Sequence, residues 1–133
     1  MKGTARHFEL HVSKPDETIP FYKELLGYFE WNVLGEWPGG LGMGDDNDVS
    51  LWFMATPDDH RQHPFDRDAT GLSHFAIWVD GAEAVDAFVR EYMQPHGIAA
   101  QFETPRARAD FGGNYYQVMF VDPEGLAIEV YHA

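Results

Sequence analysis

The feature that most constrains this chain is a repeat at half its length. The segment His7-Phe8-Glu9-Leu10-His11-Val12 alternates in the manner of a β-strand with two unlike faces. The segment His74-Phe75-Ala76-Ile77-Trp78-Val79 repeats its His, its Phe and its Val, with Ile in place of Leu. Because the two segments begin half of the 133-residue chain apart, they predict a supersecondary unit that occurs twice.

A helix pattern follows each of these strands. After the first strand, Ser13 and Asp16 have the three-residue spacing of a capping box, and Gly27 is placed to end the helix. After the second strand, Asp80 is placed to cap a helix that carries one apolar face and ends near Gly97. Each half is therefore expected to continue from strand to helix.

Further strand patterns with turn signals complete each half. They lie near 28–34, 41–43 and 49–54 in the first half and near 99–103, 115–121 and 126–131 in the second. The Asp-Pro-Glu-Gly sequence at 122–125 predicts a type I turn between the last two strands. We therefore expect an α+β fold, one domain over 1–133 with two βαβββ modules at about 5–56 and 72–132, joined by a linker at 56–70.

Charge and composition exclude some classes of partner. The chain has 22 acidic and 9 basic residues and a formal net charge of −13, which disfavours binding to nucleic acids and to anionic membranes. It has no cysteine, so any metal must be held by histidine, carboxylate or water. The first residues lack the apolar stretch of a secretion signal, so a cytoplasmic protein is expected.

Three side chains are placed to bind a metal. His7 and His74 open equivalent strands, and they would face each other if the modules pair about a pseudo-two-fold axis. Glu129 stands among apolar residues of the last strand, where a carboxylate needs a partner. Two histidines and one carboxylate leave coordination positions open for the oxygens of a substrate. We predict one divalent metal held by these three residues, with Trp52 at the place in the first module that Glu129 has in the second.

A pocket beside the metal is predicted from the strand alternation. Eight side chains are expected to line it, although core filling explains the aromatic ones nearly as well. The polar stretch 103–114 is expected to be a lid or a flexible loop. The remaining histidines, at 60, 63, 96 and 132, are better explained by an exposed loop, a helix end or the wrong strand face. The predicted pocket residues are Glu9, His11, Trp52, Trp78, Tyr115, Gln117, Met119 and Tyr131.

Two motifs resemble a known family. The H-F-x-[LI]-x-V first strand and the closing motif F-x-D-P-x-G-x-x-x-E, at 120–129, are similar to those of the vicinal oxygen chelate superfamily. That superfamily includes glyoxalase I, extradiol dioxygenases and the fosfomycin- and bleomycin-resistance proteins. The resemblance spans about 5–132. It implies a curved, cup-shaped sheet of eight strands with the helices outside, a central metal on His7, His74 and Glu129, and a homodimer.

The resemblance implies three functions. The first is a metal-dependent enzyme of the glyoxalase I type, a lyase or isomerase that activates vicinal oxygens of a small substrate, with Glu129 as catalytic base. Against it, Trp52 stands where glyoxalase I has a carboxylate or Gln. The second is an Fe(II)-dependent extradiol dioxygenase, although Met119 stands where those enzymes keep a tyrosine and 106–116 holds no histidine. The third is a resistance protein that binds a ligand without chemistry. An enzyme is expected, with Zn, Ni, Mn or Fe.

Overall fold

The computed structural model describes all residues, Met1–Ala133, and divides them into two compact units, Met1–Pro64 and Phe65–Ala133. The division falls inside the predicted linker at 56–70. Each unit contains one strand, one helix and three further strands, so the α+β fold of two βαβββ modules is confirmed. None of the helices has the length and apolar character that crossing a membrane requires.

The first unit is a four-stranded sheet with one helix. Its strands are arranged in the order β1-β4-β3-β2, with β1 and β4 parallel and the other pairs antiparallel. The elements in chain order are β1 (His7–Val12), α1 (Pro15–Tyr28), β2 (Asn32–Trp37), β3 (Gly40–Gly44) and β4 (Ser50–Ala55).

One face of this sheet carries the core of the unit. Tyr22 and Leu25 of α1 are fully buried, and the Tyr22 ring stacks on Phe53 of β4 at a centroid distance of 4.1 Å. Leu41 and Met43 of β3 are buried with Phe53. Because side chains alternate along a strand, the residues between these apolar ones point to the opposite face. His7, Glu9 and His11 therefore share that opposite face with Trp52.

The second unit repeats this arrangement. Its strand order is β5-β8-β7-β6, again with the first pair parallel. Val85 and Phe88 are buried on the helix side of the sheet, where Phe88 packs against Phe120. The elements are β5 (His74–Trp78), α2 (Ala82–Phe88) with a π-helical turn (Val89–Met93), β6 (Gln101–Ala107), β7 (Tyr116–Val121) and β8 (Ala127–His132).

The predicted helix starts are each wrong by one residue. Helix α1 begins at Pro15 with Lys14 at the N-cap position, one residue after the predicted Ser13. Proline suits the first helical position because its φ is already helical and its missing N–H has no intrahelical partner to lose. Helix α2 has Gly81, at φ 107°, as its N-cap in place of Asp80.

Each helix is followed by a residue with a left-handed backbone conformation, but the residue type differs between the two helices. Gly97 adopts φ 66° as predicted, and the N–H of the next residue bonds the Met93 carbonyl at 2.9 Å. In α1 the predicted Gly27 lies inside the helix, and Glu30 takes the left-handed position at φ 64°. Its N–H bonds the Gly27 carbonyl at 3.1 Å, which is the hydrogen bond of a Schellman ending.

Two strand predictions are also wrong in extent. The strand expected at 28–34 is β2 at Asn32–Trp37, because the helix continues through Tyr28. Strand β6 runs to Ala107, so much of the predicted loop at 103–114 is strand. Phe102 and Glu103 have positive φ, and the pairing of β6 with β7 shifts there, so the usual alternation could not reveal how far this strand extends.

Candidate functional site

Two of the three predicted metal ligands face each other in the second unit. His74 opens β5 and Glu129 lies in the parallel neighbour β8, where Ala76 is its partner in the register. Both side chains are on the sheet face opposite to α2. The Nε2 atom of His74 is 3.7 Å from Oε2 of Glu129. The carboxylate is 4% exposed, whereas the imidazole is reached by solvent.

Tyr115 holds the other oxygen of this carboxylate. Its hydroxyl donates a hydrogen bond of 2.6 Å to Oε1 of Glu129. Burial, and then the hydrogen bond and the negative charge of Glu129, raise the pKa of Tyr115 well above the ordinary tyrosine value. The phenol therefore stays protonated at neutral pH and acts as a donor. Oε1 is engaged, and Oε2 is left facing His74.

Aromatic contacts and an ion pair hold Tyr115 in place. Its ring stacks on Tyr131 at 5.1 Å and meets the edge of Phe111 at 5.3 Å. The Arg108 guanidinium lies 4.0 Å above the Phe111 ring and donates two hydrogen bonds, of 2.9 and 2.7 Å, to Asp110. This bonding lowers the pKa of Asp110 to about 2. The short segment before β7 is thus a braced support for Tyr115.

Ser73 orients the imidazole from its other side. The Ser73 hydroxyl lies 2.9 Å from Nδ1 of His74. When the imidazole carries its proton on Nδ1, that N–H donates to Ser73 and the lone pair of Nε2 points to Glu129. Metal-bound histidines usually have such a partner on the second nitrogen. Sequence reasoning missed Ser73, whose only signal is its position directly before a predicted ligand.

The pair His74 and Glu129 fits a divalent metal. Two metal–ligand bonds of about 2.1 Å can bridge atoms up to about 4.2 Å apart, and the gap here is 3.7 Å. An imidazole nitrogen and a carboxylate oxygen suit the metals that the sequence predicts. Within neither unit does a group of three or more His, Asp or Glu side chains with this capacity occur. The third predicted ligand, His7, belongs to the first unit.

The first unit has a different group at the place of Glu129. His7 pairs with Ser50 and Glu9 with Trp52, as His74 pairs with Ala127 and Ala76 with Glu129. The register thus gives the same alignment of Trp52 with Glu129 that the sequence predicts. The Trp52 indole cannot bind a metal. Its N–H donates a hydrogen bond of 3.0 Å to the Ser50 hydroxyl.

The other predicted pocket residues divide between the two units. Trp78, Gln117, Met119 and Tyr131 lie on the Glu129 face of the second sheet, since Gln117 pairs with Tyr131 and Met119 with Glu129. Gln117 and Met119 are buried, whereas Trp78 is exposed. Glu9 and His11 lie on the His7 face of the first sheet.

A cavity of about 470 Å³ opens near the start of α2, outside this pair. His132 and Tyr116 line it, and Tyr115 borders it. The Nδ1 atom of His132 accepts the Gly81 N–H at 2.9 Å, so this histidine serves the turn before α2. The cavity walls do not include His74 or Glu129.

Comparison with known proteins gives a family match over nearly the whole chain and similar structures. The family model described as Glyoxalase/Bleomycin resistance protein/Dioxygenase superfamily matches residues 4–130. A Bacillus halodurans protein of known structure, provisionally assigned as a glyoxalase, is 27% identical with a TM-score of 0.88. That match covers 99% of this chain and 97% of the other. No curated protein sequence gives a significant match.

Two further structures share the fold at lower identity. A glyoxalase/dioxygenase from Nostoc punctiforme is 20% identical with a TM-score of 0.74, and the match covers 97% of this chain and 90% of that one. The lactoylglutathione lyase of Agrobacterium tumefaciens is 18% identical with a TM-score of 0.69, with 99% and 95% covered. At these identities the likeness concerns the fold alone.

Proposed function

We propose a function from the premise that this chain belongs to the Glyoxalase/Bleomycin resistance protein/Dioxygenase superfamily. The proposed function is that of a metal-dependent enzyme of the glyoxalase type. Its reaction would be a lyase or isomerase step on a small substrate with vicinal oxygens. The observation that carries this proposal is the buried Glu129 carboxylate, held by Tyr115 on one oxygen and facing His74 with the other.

The proposed ligands are His74 and Glu129 of the second unit and His7, their equivalent from the first. A divalent ion at these residues would act as a Lewis acid on the substrate oxygens and stabilise an enolate-like anion. Ser73 keeps the His74 ring in one orientation through Nδ1. Tyr115 keeps Oε1 of Glu129 in a fixed hydrogen bond throughout.

Glu129 is the proposed base. With Oε1 held by the phenol, Oε2 would leave the metal and receive a proton from a substrate carbon next to the carbonyl group. The same oxygen can return the proton to the neighbouring carbon, which completes an isomerisation without a second base. The 4% exposure of Glu129 keeps bulk water from exchanging that proton during the transfer.

An Fe(II)-dependent dioxygenase is the second candidate. Two histidines with one carboxylate are the donor set of many non-haem iron oxygenases, and this observation favours the candidate. The superfamily also includes resistance proteins that bind a small molecule without chemistry. A function of that kind does not require the three metal-binding residues.

Elemental analysis of the purified chain tests the proposal. The protein is prepared without air and without a metal-affinity tag, as wild type and as His7→Ala, His74→Ala and Glu129→Ala. We expect about one metal ion per chain in the wild type and its loss in each variant. His60→Ala is the matched control, because His60 lies exposed beside Asp59 in the joining segment and its loss is expected to change nothing.

Each outcome has a meaning. Zinc, nickel or manganese supports the lyase or isomerase, and iron supports the dioxygenase. A wild-type protein that holds no metal and takes up none on soaking contradicts both enzymes and favours a ligand-binding protein. Sedimentation of the same samples tests the homodimer that the family resemblance implies.

A further inference from the structure

Two tryptophan rings cover glycines on the face of the first sheet that is opposite to α1, and we call Trp37 and Trp52 the tryptophan floor. A Cβ atom built on Gly40 would stand 2.0 Å from the Trp37 ring, and one built on Gly42 would stand 2.4 Å from the Trp52 ring. Each indole therefore occupies the place where a neighbouring strand would normally carry a side chain. The two ring centroids are 6.2 Å apart with an interplanar angle of 33°.

The tryptophan floor is not part of the hydrophobic core of its unit. The core lies on the other face of the sheet, where Phe53 and Tyr22 are fully buried. Trp37 is 40% exposed, and Trp52 is half-buried. The Trp52 N–H is already bonded to Ser50, so this indole offers the face of its ring to a ligand. Aromatic faces that rest on backbone and are open on the other side are suited to stacking.

The charge beside the floor is negative. Glu9 is the register partner of Trp52, and its side chain is 54% exposed. Its ion-pair partner is His11, at 3.7 Å, and that histidine is charged only when it is protonated. Both an indole face and a carboxylate attract a cationic ring and disfavour an anionic one.

We propose that the tryptophan floor binds a planar aromatic group of the substrate that carries no negative charge. The inference rests on the proposed function for its place in the reaction, because His7 pairs with Ser50 and so lies on the same face as Trp52. At the equivalent register position the second unit has the carboxylate of Glu129. The ring held on the floor would carry the vicinal oxygens towards His7.

Calorimetric titration of the full chain, freed of metal with a chelator, tests the floor by itself. The probes are N-methylquinolinium, neutral 1-methylnaphthalene and anionic 1-naphthoate, which have fused rings of the same size and different charge. N,N-dimethylpiperidinium is a saturated cation for comparison. We expect the quinolinium to bind most tightly, the neutral ring next, and the anion and the saturated cation at least tenfold more weakly than the quinolinium.

Variants then locate the binding. Trp37→Leu and Trp52→Leu are each expected to raise the Kd of the quinolinium about tenfold, which is typical of the loss of one stacking partner. Glu9→Gln is expected to weaken the quinolinium about threefold and to leave 1-methylnaphthalene unchanged. Trp31→Leu is the matched control, since Trp31 follows α1 and is not part of the floor.

The results separate the floor from the metal site. Equal binding of all three rings, or an unchanged Kd in Trp37→Leu with a native circular dichroism spectrum, would overturn the inference. Trp37→Leu and Glu9→Gln decide the matter even if Trp52→Leu does not fold. If the chain binds the probes but never takes up metal, the inference about the tryptophan floor is supported and the proposed enzyme is contradicted. If the chain takes up metal but does not bind the probes, the proposed enzyme is supported and the inference about the tryptophan floor is overturned.

Discussion

On the strand beside the one that opens with histidine, and on the same sheet face as that histidine, the first unit has the Trp52 indole and the second unit has the Glu129 carboxylate. The strand order and the register around the two places are the same. The residues that neighbour Trp52 and Glu129 differ between the two units. Trp52 rests on Gly42, where the second unit has Met119 beside Glu129. A duplicated fold can thus keep one backbone geometry and place different side chains at equivalent positions, an indole packed on glycine in one unit and a buried carboxylate in the other.

The largest expected effect comes from truncating these two residues as a matched pair. Trp52→Ala should lower the free energy of unfolding by about 3 kcal/mol, near the lower end for buried aromatic residues, because the indole is half-buried. Glu129→Ala should change the stability of the metal-free protein by about 1 kcal/mol or less, since removing a buried carboxylate offsets the loss of the hydrogen bond from Tyr115. Urea unfolding of metal-free samples measures both.

The same pair should have the opposite order in metal binding. If the proposed metal site is correct, Glu129→Ala is expected to lose the ion, and Trp52→Ala is expected to retain it wherever the variant is folded. A Trp52 variant that is stable but empty of metal would show that the two halves do not divide the work in this way.

The repeat explains why so much of this comparison could be predicted from the sequence. Two copies of one strand pattern predict the βαβββ order, and matching the last strands of the two halves aligns Trp52 with Glu129. The fold class and this alignment depend only on periodicity, which side-chain alternation reports directly. Boundaries were less accessible, because Lys14 and Glu30 occupy helix-end positions that sequence preferences assign to other residues.

The support of the site could not be predicted in the same way. Tyr115 was predicted as a pocket residue, but its hydrogen bond to Glu129 depends on where β7 begins and on the brace formed by Arg108 and Asp110. Trp37 was missed because β2 was expected to end at 34, before this residue. Contacts of this kind come from tertiary packing, which no local pattern contains.

A smaller effect is expected from the residues that precede the two histidines. Ser73→Ala removes the partner of His74 Nδ1 and should weaken metal binding about tenfold, as measured by competition with a chelator of known affinity. The matched change in the first unit is Arg6→Ala, where the native arginine pairs with Asp48 on the surface. That variant should keep the metal affinity within about twofold. Equal losses in the two variants would mean that both histidines are oriented alike.

The last expected effect concerns the glycines of the first unit. Gly42→Ala should lower the free energy of unfolding by about 1–3 kcal/mol, because the new methyl group would stand 2.4 Å from the Trp52 ring and displace it. Gly27→Ala is the matched control inside α1, where nothing lies within 4 Å of the added atom. It should raise stability by about 0.5–1 kcal/mol, since alanine is the better helix former. If both substitutions stabilise the chain in urea unfolding, the indole does not need the bare backbone beneath it, and the contrast between the two units loses its steric basis.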